Sequence, residues 1–155
     1  MINIKSEVVV DNSMLLAIEK RLLALNGAVV EYGFYSDQWH DEAQWDMASL
    51  ALTMERGSTK HNIPSRPFMA QSGIYFTLLK MNIVKLAYNQ YLAGKTTLMS
   101  MLGRVGVAAK QNVSNTITFQ NFVALKPATI AAKGFDTILI ESGTLEKSVT
   151  IKIKP

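Results

Sequence analysis

Few residues in this chain have the types and spacing that chemistry requires. Gly94-Lys95-Thr96-Thr97 has the closing residues of a phosphate-binding loop. Such a loop needs an earlier glycine, five residues ahead of the second, and a buried strand before it, so that backbone N–H groups form a nest for the phosphate. Asn89 occupies that offset, and the preceding segment is an amphipathic helical pattern carrying Tyr88 and Tyr91. The string therefore reads as a helix–helix turn. The two histidines, His40 and His61, have no partner at ligand spacing, and His40 stands beside Asp41 and Glu42, which do not share a helix face with it. His40 reads as a solvated helix start. With no cysteine, neither a zinc–thiolate centre nor a disulfide can form. No serine sits in a nucleophile elbow. The expectation is a protein that is not an enzyme and has no catalytic, cofactor or metal site; a carboxylate-only centre is the catalytic option left open. Tyr32, Phe34, Tyr75, Phe76, Tyr88 and Tyr91 fall at strand or helix spacing, which favours a core role over base stacking. The eight methionines read as core or interface residues.

The chain has 155 residues, the size of a single domain (1–155) with a proper core. It is 48% hydrophobic and 18% charged, which excludes a disordered tail. The N-terminal residues lack the basic and apolar regions of a signal peptide, and no apolar run approaches the ~18 residues of a membrane span. A cytosolic protein with no membrane partner is expected. Charge is distributed unevenly. Residues 1–60 carry five lysines and arginines against nine acids; residues 61–155 carry eleven against three. Either the charges solvate opposite ends of one fold, or the molecule has an acidic and a basic side suited to head-to-tail association or to nucleic acid.

These residues must be held by regular elements. Ile2–Val10 and Ala28–Tyr35 read as strands, the second rich in β-branched and aromatic residues. Between them Met14–Asn26 reads as a helix with Leu15, Ile18, Leu22 and Leu25 on one face, ended by Gly27. Asp41 is the expected cap of a second helix through about Glu55, with Trp45, Ala48 and Leu52 buried, ended by Gly57. In Lys60–Met69 two prolines hold Ile63 and Arg66 extended. Ala70–Leu92 reads as one long helix, apolar at Ile74, Leu78 and Met81 and at Phe76, Leu79, Ile83 and Leu86, broken by Gly94. Thr96-Thr97 starts another to about Asn115, with Leu98, Met101, Leu102, Val105, Ala108, Ala109 and Val113 on one face. Gly103 and Gly106, each ~1 kcal/mol worse than alanine in a helix, read as points of close approach. Pro127 opens a short helix to Lys133 closed by Gly134. Phe135–Glu141 reads as an apolar strand, turned at Ser142-Gly143, and Val149–Lys154 alternates as a half-buried strand. The order implies an α+β fold: a small, mostly antiparallel sheet with several helices packed on one face.

Two strings carry a resemblance. Asn62-Ile63-Pro64-Ser65-Arg66-Pro67-Phe68-Met69, after a helix ending Met54-Glu55-Arg56-Gly57, resembles the "E-x-G … I-P-x-R-P-F" signature of tailed-bacteriophage virion morphogenesis proteins, the tail-completion and head–tail joining group. Leu125–Lys133 followed by Asp136–Leu145 resembles the "P-x-T-x-x-x-K … L-I-D-T-G-x-L" ending of the same proteins. The match spans roughly residues 28–155. Departures are Arg56 for an aromatic, Ser65 for alanine, and Glu141-Ser142 for Asp-Thr.

The resemblance implies a structural virion protein of the neck or tail, a ring-forming homo-oligomer (hexamer or dodecamer) around the DNA channel. It would be assembled in the host cytoplasm and would join portal or connector to tail. A tail terminator capping the tube is the nearest alternative, and a basic DNA-binding protein the alternative from another class. Rings need heterologous interfaces, which the acidic and basic parts would supply; alternatively the basic part lines the lumen and meets DNA without sequence readout. The expected interface residues are Ile63, Pro64, Arg66, Pro67 and Phe68 in the proline segment. Leu139, Glu141 and Leu145 in the expected hairpin, and Lys152 and Lys154 on the terminal strand, are the others. The competing reading of the proline segment is an intramolecular strap, with Phe68 in its own core.

Overall fold

The computed structural model describes residues 12–41, 43–119, 121–140 and 143–155. The strand expected over Ile2–Val10 lies outside them, as does Glu141. The chain runs α1 (Ser13–Ala24), β1 (Val29–Gly33), β2 (Trp39–His40), β3 (Trp45–Asp46), α2 (Met47–Arg56), α3 (Phe68–Tyr75), a π-helical turn (Phe76–Lys80), α4 (Met81–Leu92), α5 (Leu98–Thr118), α6 (Pro127–Lys133), α7 (Thr144–Lys147) and β4 (Thr150–Lys154). This is an α+β architecture with two small antiparallel sheets, β1–β4 and β2–β3.

The long helix α5 is the spine. Thr97 caps it by accepting from the Ser100 amide at 3.2 Å. Its apolar face lies across β1–β4, whose register pairs Val30 with Ile153 and Tyr32 with Ile151. A Cβ on Gly106 would stand 2.5 Å from Ile151 Cγ2 and 3.2 Å from Val30 Cγ1, so the close approach expected there is real. At Gly103 the nearest atom is 4.0 Å away, ordinary contact. On β4 the alternation holds: Ile151 and Ile153 turn toward α5, while Lys152 and Lys154 face solvent. Lys154 pairs with Glu31 at 2.6 Å, and Lys152 lies over the Tyr35 ring.

Four sequence expectations are corrected. Asp46, not Asp41, caps α2: its Oδ1 accepts from the Ser49 amide at 2.9 Å, while Trp45 pairs with His40 in the β2–β3 ladder. Counting the helical period from Trp45 therefore selects the wrong face. Met47, Leu50 and Ala51 are buried and Leu52 is exposed. The helix expected over 70–92 starts at Phe68 and is interrupted by the π turn. One extra residue in a turn rotates everything beyond it by about 100°, so no single stripe runs through both halves. Ser72, Ala87 and Tyr91 are buried, whereas Ile74, Leu78, Leu79, Met81, Ile83 and Leu86 are exposed. On α1, Leu15 and Leu22 of the expected stripe are exposed as well; the helix is tied to the end of α4 by polar bonds, Tyr91 Oη to Arg21 O at 3.0 Å and Arg21 Nη1 to Leu92 O at 2.9 Å. Finally, the described part of Phe135–Glu141 is not a strand: Leu139 has φ 60°, outside the pleated region, and Gly143 leads into α7. The terminal strand pairs with β1, about 120 residues earlier in the chain, so there is no hairpin of the expected kind.

The core has two parts. Phe68, Met47, Leu50, Val113, Ile117 and Val149 form one, and Ala87, Tyr91, Met101 and Leu102 the other. Between α3 and α5 the buried Asn112 amide donates to Ser72 O at 2.6 Å and to its hydroxyl at 2.9 Å, so a polar pair is satisfied inside the protein.

Candidate functional site

The proline segment is a strap that folds back on α2. Gly57 ends α2 at φ 77°, a left-handed position that glycine adopts without strain. A Cβ there would come within 2.7 Å of Ser65 N and 2.8 Å of Ile63 O, so this glycine also lets the strap lie close. Ser58 and Ile63 exchange backbone hydrogen bonds, both at 2.8 Å. The Ser65 hydroxyl donates to Glu55 O at 2.7 Å, and the Arg66 amide to Met54 O at 2.9 Å. Pro67, at the cap position of α3, has no side-chain acceptor for that helix. Glu55 supplies one from α2: its carboxylate accepts from the Met69 and Ala70 amides at 2.8 and 3.1 Å. A carboxylate at a helix N-terminus stabilises by about 1 kcal/mol. Glu55, Gly57, Ile63 and Arg66 of the first signature string thus each have an intramolecular task.

Phe68 corrects one expected interface residue. It is fully buried, edge-on to Phe34 with ring centroids 5.8 Å apart, and has no surface to offer a partner. At this position the intramolecular reading of the strap holds. A paired Arg66 and Phe68 substitution would remove a core aromatic, and so is not a clean test of assembly.

The other strap residues open onto a cleft of about 480 Å³. Ile63, Pro64 and Arg66 of the strap line it with Leu50 and Met54 of α2, and Val123, Ala124, Leu125 and Lys126 come from the segment between α5 and α6. Leu139, Thr144 and Leu145 complete it. The two signature strings, separated by some 60 residues, therefore meet in one place. Of the expected interface residues, Ile63, Pro64, Arg66, Leu139 and Leu145 line the cleft. Pro67 and Phe68 do not, and Lys152 and Lys154 sit on the solvent face of β4. Val123 and Ala124 were missed in the sequence because no period-2 or period-3.6 pattern marks residues 121–124.

Arg66 is the unusual group. It is buried, and its Nε donates to Val123 O at a long 3.4 Å. Burial pushes its pKa below the ordinary arginine value. The charged or imidazole residues lining the cleft are Arg66, Lys126, His40 and His61, and no carboxylate lines it among the described residues. His40, expected at a solvated helix start, is instead half-buried in β2, and its Nδ1 accepts from the Ala43 amide at 3.1 Å. The His61 ring stands edge-on to Trp45 with centroids 6.1 Å apart. Among the described residues no group of three or more His, Asp or Glu side chains could hold a metal ion. Gly94–Thr97 is the turn between α4 and α5, with Gly94 at φ 73°.

A second surface is set by apolar exposure. On α1, Met14, Leu15, Leu16, Leu22 and Leu23 are exposed, Leu15 at 66%. Along α3, the π turn and α4, Ile74, Leu78, Leu79 and Leu86 are exposed, Leu78 at 72%. No described helix is long and apolar enough to cross a membrane. Comparison of the chain with protein-family models, with curated proteins and with solved structures found no match.

Proposed function

We propose that this chain is a structural subunit of a tailed-phage neck, a ring-forming tail-completion protein that joins the head connector to the tail around the DNA channel. The observation that carries the reading is the apolar surface of α1 and of the α3–α4 helix. Large exposed apolar patches on a soluble chain mark surfaces that meet another macromolecule. Burying a leucine side chain contributes about 1.5–3 kcal/mol, so a neighbouring subunit that covered Leu78, Leu79 and Leu86 would gain several kcal/mol from these three alone. The signature resemblance supplies the biological setting, and a tail terminator with the same ring geometry is the nearest competitor.

Light scattering after size exclusion, with electron microscopy of the eluted peak, tests the reading. The wild-type chain, alone or with its neighbouring neck protein, should form a closed ring. Leu78→Lys with Leu79→Lys should leave a folded chain that does not close rings. A wild-type chain that stays monomeric in both settings and is absent from purified particles overturns the proposal.

A further inference from the structure

We infer that the cleft beneath the strap is a binding site for a carboxylate carried on an apolar stem, with Arg66 as its anchor. A guanidinium stays charged at any physiological pH and presents five N–H donors in a planar fork that matches a carboxylate. Only 6% of Arg66 is accessible, and among the described residues the one hydrogen bond of its side chain is the long contact to Val123 O. The ion pairs among those residues lie elsewhere, on Lys152 and Lys154. Among the described residues no carboxylate pairs with this buried cation, a costly arrangement that an anion arriving from outside relieves.

The walls decide which anion. Leu50, Met54, Ile63 and Leu125 make the cavity largely apolar, and its volume of about 480 Å³ suits a small ligand or a few residues of chain. A phosphate group carries nearly two charges and a strongly held hydration shell, which one guanidinium in an apolar cleft does not replace. A carboxylate carries one charge, accepts the fork in a bidentate manner and leaves its stem for the apolar walls. Lys126, His40 and His61 add positive or donor character around the cleft. The inference stands whether or not the chain forms rings.

The ligand chemistry has two sources, a free apolar acid or the carboxylate of a peptide, and the probes separate them. Octanoate, octanamide, and acetyl-trileucine with a free or an amidated C-terminus are titrated against the full chain. Binding is followed by calorimetry and by the methyl signals of Met54, Ile63 and Leu145. Octanoate or the free-acid peptide should bind at least about tenfold more tightly than the matching amide, a difference of about 1.4 kcal/mol. Preference for octanoate assigns a small acid, and preference for the peptide assigns a chain terminus or acidic side chain. Arg66→Gln should remove that acid–amide difference. If this variant fails to fold by circular dichroism, Lys126→Glu at the exposed rim serves instead and should weaken the acids several-fold while sparing the amides. Equal binding of acids and amides, no binding of any probe, or an acid preference unchanged in the folded variant overturns the inference. So does acid binding that appears only after Glu141→Gln, which would give Arg66 a partner within its own chain.

Discussion

The strap region and the α1/α4 region use similar residues to opposite ends. Around the strap, Met47, Leu50 and Phe68 are taken out of water within one chain, and backbone groups along Gly57–Ala70 are met by Glu55, Met54 and each other. On α1 and along α3–α4, residues of equal hydrophobicity remain in water. In the first region the apolar side chains are covered by folding; in the second, folding leaves them exposed. Apolar character alone does not tell these cases apart, because the transfer free energy is the same whichever chain supplies the cover.

The contrast can be broken most forcefully at the C-terminus. Deleting residues 149–155 removes buried Val149 and the whole of β4, leaving β1 unpaired and α5 without its sheet, so the cooperative unfolding transition should be lost. A normal transition in a urea titration would show that the strap core stands without the sheet. Next in size is Phe68→Ala, which should cost about 3–5 kcal/mol by chemical denaturation, the usual range for an aromatic removed from a core. A loss under ~1 kcal/mol would return Phe68 to the surface and to the interface reading.

Two glycines of α5 sharpen the comparison on a finer scale. Gly103→Ala meets no crowding and should stabilise by up to about 1 kcal/mol through helix propensity. Gly106→Ala gains the same propensity but forces its methyl against Ile151 and Val30, where overpacking costs about 1–3 kcal/mol; its net effect should be destabilising. Thermal midpoints of the same sign for both variants would contradict the packing described for α5 on the sheet. Smaller still on stability is Leu78→Lys with Leu79→Lys, each within about 0.5 kcal/mol as exposed sites commonly are. A large loss of stability in the isolated chain would mean that the patch is covered intramolecularly.

The smallest effect is a titration. The Ser49 hydrogen bonds hold the Asp46 carboxyl below its ordinary value. Its folded pKa lies under the unfolded one, so the cap's contribution is present at neutral pH and fades as pH falls below about 4. Asp46→Asn should flatten that part of the midpoint-against-pH curve. An identical slope in both proteins would remove Asp46 from the cap.

Legibility in the sequence followed the range of the forces involved. Pro127 and Gly134 bound α6 where expected, Thr97 starts α5, Gly27, Gly57 and Gly94 have positive φ, and β4 alternates, because each of these depends on a residue's own dihedral preference or on neighbours within one turn. The errors arise where a local signal had a rival. Asp41 and Asp46 are both good caps, and the choice was made by Trp45 pairing with His40. The apolar residues of 70–92 fit a helix, but a π turn changed which of them share a face. Of the candidate site, the strap and Leu125 were visible through the two signature strings, while Val123 and Ala124 were not, since the aperiodic stretch 121–124 announces nothing until α6 and the strap are in place.

What the amino-acid sequence determined by itself is the set of breaks, caps and periods, and the absence of thiol chemistry; these are properties of single residues and short spacings. The tertiary structure alone decided that residues 29–33 pair with 150–154, that the two signature strings face one cleft, and that Phe68 is inside while Leu78 is outside. The physical reason is that burial is a property of arrangement. A side chain leaves water only when elements distant in sequence arrive over it, and that arrival is governed by the summed fit of all of them.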